Sequence, residues 1–352
     1  AMPSAKLQPG DVLGDRYRIE EGLGFGGMGA VYRASDLELD RVVALKVIRP
    51  HLADDPNVLQ RFKQEIILAR EVTHRNVVRI FDIGQAGETR FISMEYVDGK
   101  DLLGVLKERG ALPAEEAIDI IEQVCLALEA AHQQGVVHRD LKPANIMIDA
   151  EGRVVVMDFG IARSLDVSGM TQTGSLIGTP DYMSPEQVKG EAVDSRSDIF
   201  ALGLIFYQLL TGELPYKGET PMAALYTRTQ KKAAPVRDLN PDLPGFLGDV
   251  VGRCLEIPVH KRYQSTREVL QDLAIWRGGS THMTIGPTMR GLMPTTTAAR
   301  NRFRFAAIGA IAAVVLAIVV GGVFWFRGRT PAAESEAAAA VVPTEVVSLA
   351  IL

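Results

Sequence analysis

The residues best equipped for chemistry stand in His138-Arg139-Asp140-Leu141-Lys142-Pro143-Ala144-Asn145, followed by Asp158-Phe159-Gly160. Moving a phosphoryl group onto a hydroxyl needs a group to take the hydroxyl's proton and hard oxygen ligands for magnesium beside the phosphates. Asp140, Asn145 and Asp158 can supply these. Lys142, two residues after Asp140, can neutralise charge that develops on the transferred group. Either motif alone is also compatible with an ordinary turn between strands.

Two further motifs lie upstream. In Gly24-Phe25-Gly26-Gly27-Met28-Gly29-Ala30-Val31, small residues let the backbone close over phosphates and offer its N–H groups to them. The same string by itself suits a hairpin turn. Val43-Ala44-Leu45-Lys46 ends an alternating apolar strand on a lysine, and a buried ammonium needs an anionic partner. Glu65, in the helical stretch 61–65, is the expected partner. Taken separately, each of the two is equally a surface charge.

The elements that must position these residues follow from periodicity. Short β-type runs at 42–48, 77–83 and 90–95 surround one helical stretch, 56–72, and predict a small sheet with one helix. From 101 to 277 helical periodicity dominates, at 113–134, 198–211 and 266–276. No fixed-period repeat is visible, which argues against a solenoid or propeller. The 352 residues are 47% hydrophobic and 23% charged with a formal net charge of −5, so a general nucleic-acid binder is excluded and no nucleic-acid partner is expected. Cys125 and Cys254 sit in apolar helical patterns without metal-ligand spacing and read as core thiols of a reducing compartment.

Residues 278–304, rich in Gly, Thr, Met, Pro and Arg, read as a flexible juxtamembrane linker. Residues 306–326 carry no charge, and as a helix would span about 32 Å, enough for a membrane core of about 30 Å. The predicted transmembrane helix is set at 305–326, with a buried core helix as the alternative. Phe324, Trp325 and Phe326 form an aromatic belt, and four arginines before the span (Arg290, Arg300, Arg302, Arg304) against Arg327 and Arg329 after it put the large domain in the cytoplasm. The first ten residues carry no signal-peptide apolar run, which agrees with that orientation. Residues 327–352 are then a short extracytoplasmic tail.

The motifs together resemble those of Hanks-type (eukaryotic-like) protein kinases, and with the linker and span the chain looks like a bacterial transmembrane receptor-type serine/threonine kinase. The resemblance implies an α+β, bilobal protein-kinase fold plus one transmembrane helix. After an N-terminal extension, 1–15, the kinase domain covers 16–277, with a small β-rich N-lobe of one main helix at about 16–97 and a large, mainly helical C-lobe at about 98–277. ATP would lie between the lobes under Leu23, Gly24, Gly26 and Gly29. Its adenine would sit between Val31, Ala44 and Met147, against the hinge residues Glu95 and Val97, with Met94 as gatekeeper and Asp101 at the ribose. Lys46, paired with Glu65, would hold the α- and β-phosphates, Asn145 and Asp158 the Mg2+ or Mn2+, and Asp140 and Lys142 would carry the reaction.

The stretch Gly178-Thr179-Pro180-Asp181-Tyr182-Met183-Ser184-Pro185-Glu186 resembles the segment that cradles a substrate peptide. Thr179 with Lys142 matches the serine/threonine pattern. Glu186 is expected to pair with Arg262, and Asp198 to be structural. Arg139 is placed to meet a phosphate on Thr171 or Thr173, and Thr281, Thr284, Thr288 and Thr295 to Thr297 are further candidate phosphosites. Expected partners are protein substrates, a second copy through autophosphorylation and a smaller-lobe dimer contact, and the membrane. A pseudokinase is weakened by the presence of Lys46, Glu65, Asp140, Asn145 and Asp158 together. A small-molecule kinase is disfavoured by the peptide-cradling stretch, and for a ligand-sensing receptor the short tail leaves either a truncated outer part or no external sensor.

Overall fold

Arg41–Ile48 (β4) is buried on both faces from Val43 to Lys46, and shows how the first sheet is organised: Val43 and Leu45 join one apolar cluster, Ala44, on the opposite face with Lys46, another. β4 pairs antiparallel with Gly29–Asp36 (β3) on one side and with Thr89–Glu95 (β6) on the other. Adding Val12–Leu13 (β1), Tyr17–Gly26 (β2) and Ile80–Ala86 (β5) gives a six-stranded sheet in the order β1-β2-β3-β4-β6-β5. Its outer face packs Tyr17, Ile19, Tyr32, Val43, Leu45 and Phe91 into a core of its own. The cleft face is left to Ala44 and Lys46. These are features of a computed structural model in which residues 6–26, 29–48, 67, 69–159 and 180–280 are described. All belong to the unit Ala1–Ile285; the second unit, Gly286–Leu352, lies wholly outside them.

The run expected at 77–83 begins later as a strand, because its start is used elsewhere. Val77 forms an isolated parallel bridge with Val156, Val78 N–H donates to Val156 O at 3.0 Å, and Val156 N–H donates to Asn76 O at 2.8 Å. Of the helix expected at 56–72, only Ile67 and residues 69–72 are described, and the helix ends at Glu71.

The larger lobe is built from Leu102–Arg109 (α1), Ala114–Gln133 (α2), Pro185–Lys189 (α3), Ser195–Thr211 (α4), Pro221–Gln230 (α5), Val236–Leu239 (α6), Gly245–Cys254 (α7) and Thr266–Ser280 (α8). Gly99–Asp101 (β7), Ile146–Asp149 (β8) and Val154–Val156 (β9) form a small sheet on it. α4 is apolar all round and buried from Ser197 to Tyr207, as a helix at the centre of a lobe must be. Asp194 caps its start, and Gly212, at φ 77°, ends it in the left-handed conformation that glycine adopts without strain. α7 packs so closely on α4 that a Cβ at Gly203 would lie 2.6 Å from Cys254 Cβ.

The described residues form the expected two lobes, a β-rich N-lobe and a mainly helical C-lobe. Among the described residues no helix is long and apolar enough to cross a membrane. The expected span 305–326 and tail 327–352 lie outside them, as does the linker apart from residues 278–280, which extend α8.

Candidate active site

The loop 138–145 is held from below by one carboxylate. Asp198, in the first turn of α4, accepts His138 N–H (2.8 Å) and Arg139 N–H (2.8 Å), and also meets His132 Nε2 at 2.8 Å. Gln187 Nε2 donates to Arg139 O at 2.7 Å, so the peptide groups on both sides of Arg139 are pinned. That explains how Arg139 keeps φ at 65°, a region sparsely occupied by residues with a side chain. Pinned in this way, the loop presents Asp140. Lys142 Nζ lies 2.7 Å from Asp140 Oδ2, and Asn145 Nδ2 donates to Asp140 O at 2.8 Å.

The second motif is stitched to the first by backbone. Met157 N–H donates to Asn145 O at 2.8 Å, His138 Nε2 meets Met157 O at 2.8 Å, and the rings of His138 and Phe159 lie 4.7 Å apart. Asp158 follows with φ at 58°, the second left-handed residue of the site. Its Oδ1 lies 2.8 Å from Lys46 Nζ, so the cleft-facing lysine of β4 meets the second motif directly. Burial pushes the Asp158 carboxyl up, but Lys46, with smaller contributions from His138 and Lys142, outweighs burial and holds it below the ordinary carboxylate value. Glu65, Gly160, Thr171, Thr173 and Thr179 lie outside the described residues.

The residues expected around adenine converge. Ala44, Met94 and Val97 form one buried cluster with Val78 and Val155, against which Val31, Met147 and Met157 pack. This cluster is separate from the cores of both lobes. Val78, Val155 and Met157 were not expected from the sequence; only Met157, adjacent to Asp158, carried a positional signal. Leu23, in β2, is 45% exposed. Glu95 is held by backbone and side chain: its N–H donates to Arg79 O at 2.9 Å, and its carboxylate meets Arg153 at 2.8 Å. Asp101 caps α1 by accepting Gly104 N–H at 2.9 Å, a role that periodicity did not assign to it.

The glycines differ in what requires them. A Cβ at Gly29 would lie 1.9 Å from Val47 O, so strand approach alone excludes any other residue. A Cβ at Gly24 would meet nothing within 4 Å among the described residues. Packing leaves Gly24 free, and its lack of a side chain is available to something outside the protein. Gly26 lies at the end of β2, paired with Gly29.

The segment after the site is equally fixed. Glu186 and Arg262 form a bidentate pair at 2.8 Å for both contacts, with side chains 4% and 0% exposed. Among the described residues no group of three or more His, Cys, Asp or Glu side chains could hold a metal ion. The donors offered by Asn145 and Asp158 are instead an amide oxygen and a carboxylate held ionised. Both are hard oxygen ligands of the kind that magnesium prefers.

The protein kinase domain family matches residues 17–273. A probable serine/threonine-protein kinase of Clostridium perfringens is 40% identical over 264 residues, 75% of this chain and 38% of that protein. The serine/threonine-protein kinase PknB of Mycobacterium tuberculosis is 43% identical over 267 residues, 74% of this chain and 43% of that protein. The chain thus spans about two-fifths of the length of these relatives. Among solved structures, the PknI kinase domain of Mycobacterium tuberculosis is similar with a TM-score of 0.63 and 29% identity, covering 78% of this chain and 100% of that one. With the matched region extending from β2 into α8 and containing the whole of the described cleft, the chain belongs to the protein kinase domain family.

Proposed function

We propose that this chain is a serine/threonine protein kinase of bacterial signalling, which transfers the γ-phosphate of ATP to protein hydroxyls and phosphorylates its own activation segment. The observation that carries the reading is the meeting of Lys46 with Asp158 at 2.8 Å beside a loop in which Lys142 and Asn145 both contact Asp140. Adenine occupies the cluster of Val31, Ala44, Met94, Val97 and Met147. Val97 N–H, which makes no hydrogen bond among the described residues, and the Glu95 carbonyl read its edge. Leu23, Gly24, Gly26 and Gly29 cover the nucleotide, and Asp101 takes the ribose.

Lys46, paired with Glu65, orients the α- and β-phosphates, and Asn145 and Asp158 would hold the metal. A magnesium ion held by these two oxygen donors would neutralise charge on the phosphates. Asp140 accepts the proton of the acceptor hydroxyl, and Lys142 steadies both Asp140 and the charge on the group in transfer. Thr179 contacts the acceptor peptide. Replacing Asp140 by Asn is expected to abolish peptide phosphorylation while ATP still binds. Unchanged turnover would remove Asp140 as the base, and a parent that binds ATP but phosphorylates nothing would favour a scaffold that only binds nucleotide.

We further read 16–277 as the kinase domain, 278–304 as linker and 305–326 as a membrane anchor with the kinase domain cytoplasmic. Full-length chain released from membranes by alkaline carbonate would contradict the anchor. Thr171 and Thr173 are read as activating phosphosites facing Arg139. Equal activity of the Thr171→Ala, Thr173→Ala double variant and the parent would exclude that role.

A further inference from the structure

Arg228, on α5, lies outside the residues to which the reaction has been assigned, yet it is only 2% exposed. Its guanidinium has no carboxylate partner among the described residues. Three backbone carbonyls converge on it instead: Nη1 donates to Pro180 O at 3.1 Å and to Met183 O at 2.7 Å, and Nη2 donates to Asp181 O at 2.6 Å. The Tyr216 ring stands 5.5 Å from the guanidinium carbon. A cation taken out of water costs free energy that apolar packing does not return, so what it holds in place is the informative part.

What it holds is one turn. Pro180–Tyr182 is a single turn of 3-10 helix, and Met183 connects it to Ser184, which caps α3 in a reciprocal capping box with Gln187. Gln187 in turn donates to Arg139 O, next to Asp140, at 2.7 Å. The strip 180–187 is therefore pinned at one end to α5 by Arg228 and at the other to the reacting loop by Gln187. Carbonyls that point at one centre from three successive directions suit a planar fork with fixed donors better than a single ammonium.

We propose that Arg228 is a positioning residue for the acceptor protein: by clamping the 180–183 turn it sets the floor on which the acceptor chain lies, so that its hydroxyl reaches Asp140. This rests on the protein-kinase reading above. A residue that merely stabilised the lobe would, when replaced, lower stability and all kinetic constants together. A clamp acts on acceptor binding alone.

The test uses the full chain with Arg228→Met, which keeps most of the stem, and Arg228→Lys. In steady-state assays with an acceptor peptide, Arg228→Met is expected to raise the peptide KM at least tenfold, equivalent to about 1.4 kcal/mol. The KM for ATP and the rate at saturating peptide should move less than twofold, and Arg228→Lys should fall between parent and Arg228→Met. Hydrogen exchange should quicken at amides 181–189 in Arg228→Met and stay as in the parent at 141–149. An unchanged peptide KM, or a KM for ATP that rises in step with it, overturns the proposal. If Arg228→Met does not fold, the Lys variant carries the same comparison. Should the parent phosphorylate no peptide, the kinase reading fails by itself. Exchange then decides the clamp, and unaltered exchange at 181–189 overturns it.

Discussion

Replacing Glu186 by Gln tests how the large lobe holds the segment that follows the site. All five N–H donors of Arg262 are occupied: Nε by Glu256 O, Nη1 by Glu186 Oε1 and Arg196 O, and Nη2 by Glu186 Oε2 and Ile257 O. Glu186 Oε1 also accepts Ser197 Oγ at 2.6 Å. In Glu186→Gln the amide oxygen can keep one donor set, but the amide nitrogen then faces an Arg262 N–H, donor against donor. One charge-assisted hydrogen bond is lost and the buried guanidinium keeps no counter-charge, at a cost of about 3 kcal/mol. For a domain of this size that lowers the melting temperature by about 6–12 °C.

The pH dependence has a definite sign. Burial pushes the Glu186 carboxyl up, but hydrogen bonds from Arg262 and Ser197 and the guanidinium charge bring it below its ordinary value of 4.5. A carboxylate with a depressed folded value contributes stability fully above the unfolded value and loses it as pH falls through the folded one. The gap between parent and Glu186→Gln should therefore be constant from pH 7 to about pH 5.5 and shrink below about pH 4.5. Thermal or urea unfolding followed by circular dichroism measures both effects. A melting temperature within 2 °C of the parent at pH 7, or a gap that widens in acid, would refute the assignment of this pair as a net stabilising contact.

Three further outcomes are expected. Gly29→Ala should destabilise the N-lobe, because its Cβ would lie 1.9 Å from Val47 O, whereas Gly24→Ala, with open space around it, should melt like the parent but raise the KM for ATP; equal melting of the two variants would contradict the distinction. Lys46→Met removes the main charge that opposes burial at Asp158, so that carboxyl should rise, and the pH midpoint of magnesium-dependent nucleotide binding should move upward with it; isothermal titration across pH 5–8 reads this, and an unmoved midpoint counts against the pair. Cys125 and Cys254 are buried and free, burial pushes the Cys254 thiol up to about 12 and raises that of Cys125 too, so neither should react with a thiol reagent at pH 8 in the native protein; labelling before unfolding would show that α2 or α7 opens.

Much of the site was legible because its chemistry is concentrated in short segments. Asp140, Lys142 and Asn145 lie within one loop, and their side chains have few other uses at that spacing. The residues proposed for adenine, Val31, Ala44, Met94, Val97 and Met147, were placed through resemblance, since a Val or Ala in a strand carries no chemical signal of its own. Their convergence in one cluster, with Val78, Val155 and Met157 added, depends on β3, β4, β6, β8 and β9 meeting. The strand expected at 77–83 was displaced for the same reason: Val77 and Val78 answer to Val156, far away in the chain.

The amino-acid sequence by itself determined which chemical groups this protein gathers in short segments and the alternation of elements that carry them, because side-chain chemistry and hydrophobic period are local properties. Tertiary structure alone decided who meets whom. Lys46 joins Asp158 across two lobes, Asp198 supports His138 and Arg139 from a distant helix, and Arg228 gathers three carbonyls of a turn that no pattern in α5 announces. Such contacts are set by how strands and helices pack, and backbone carbonyls, identical at every residue, leave no mark in the sequence to show where a buried cation will find them.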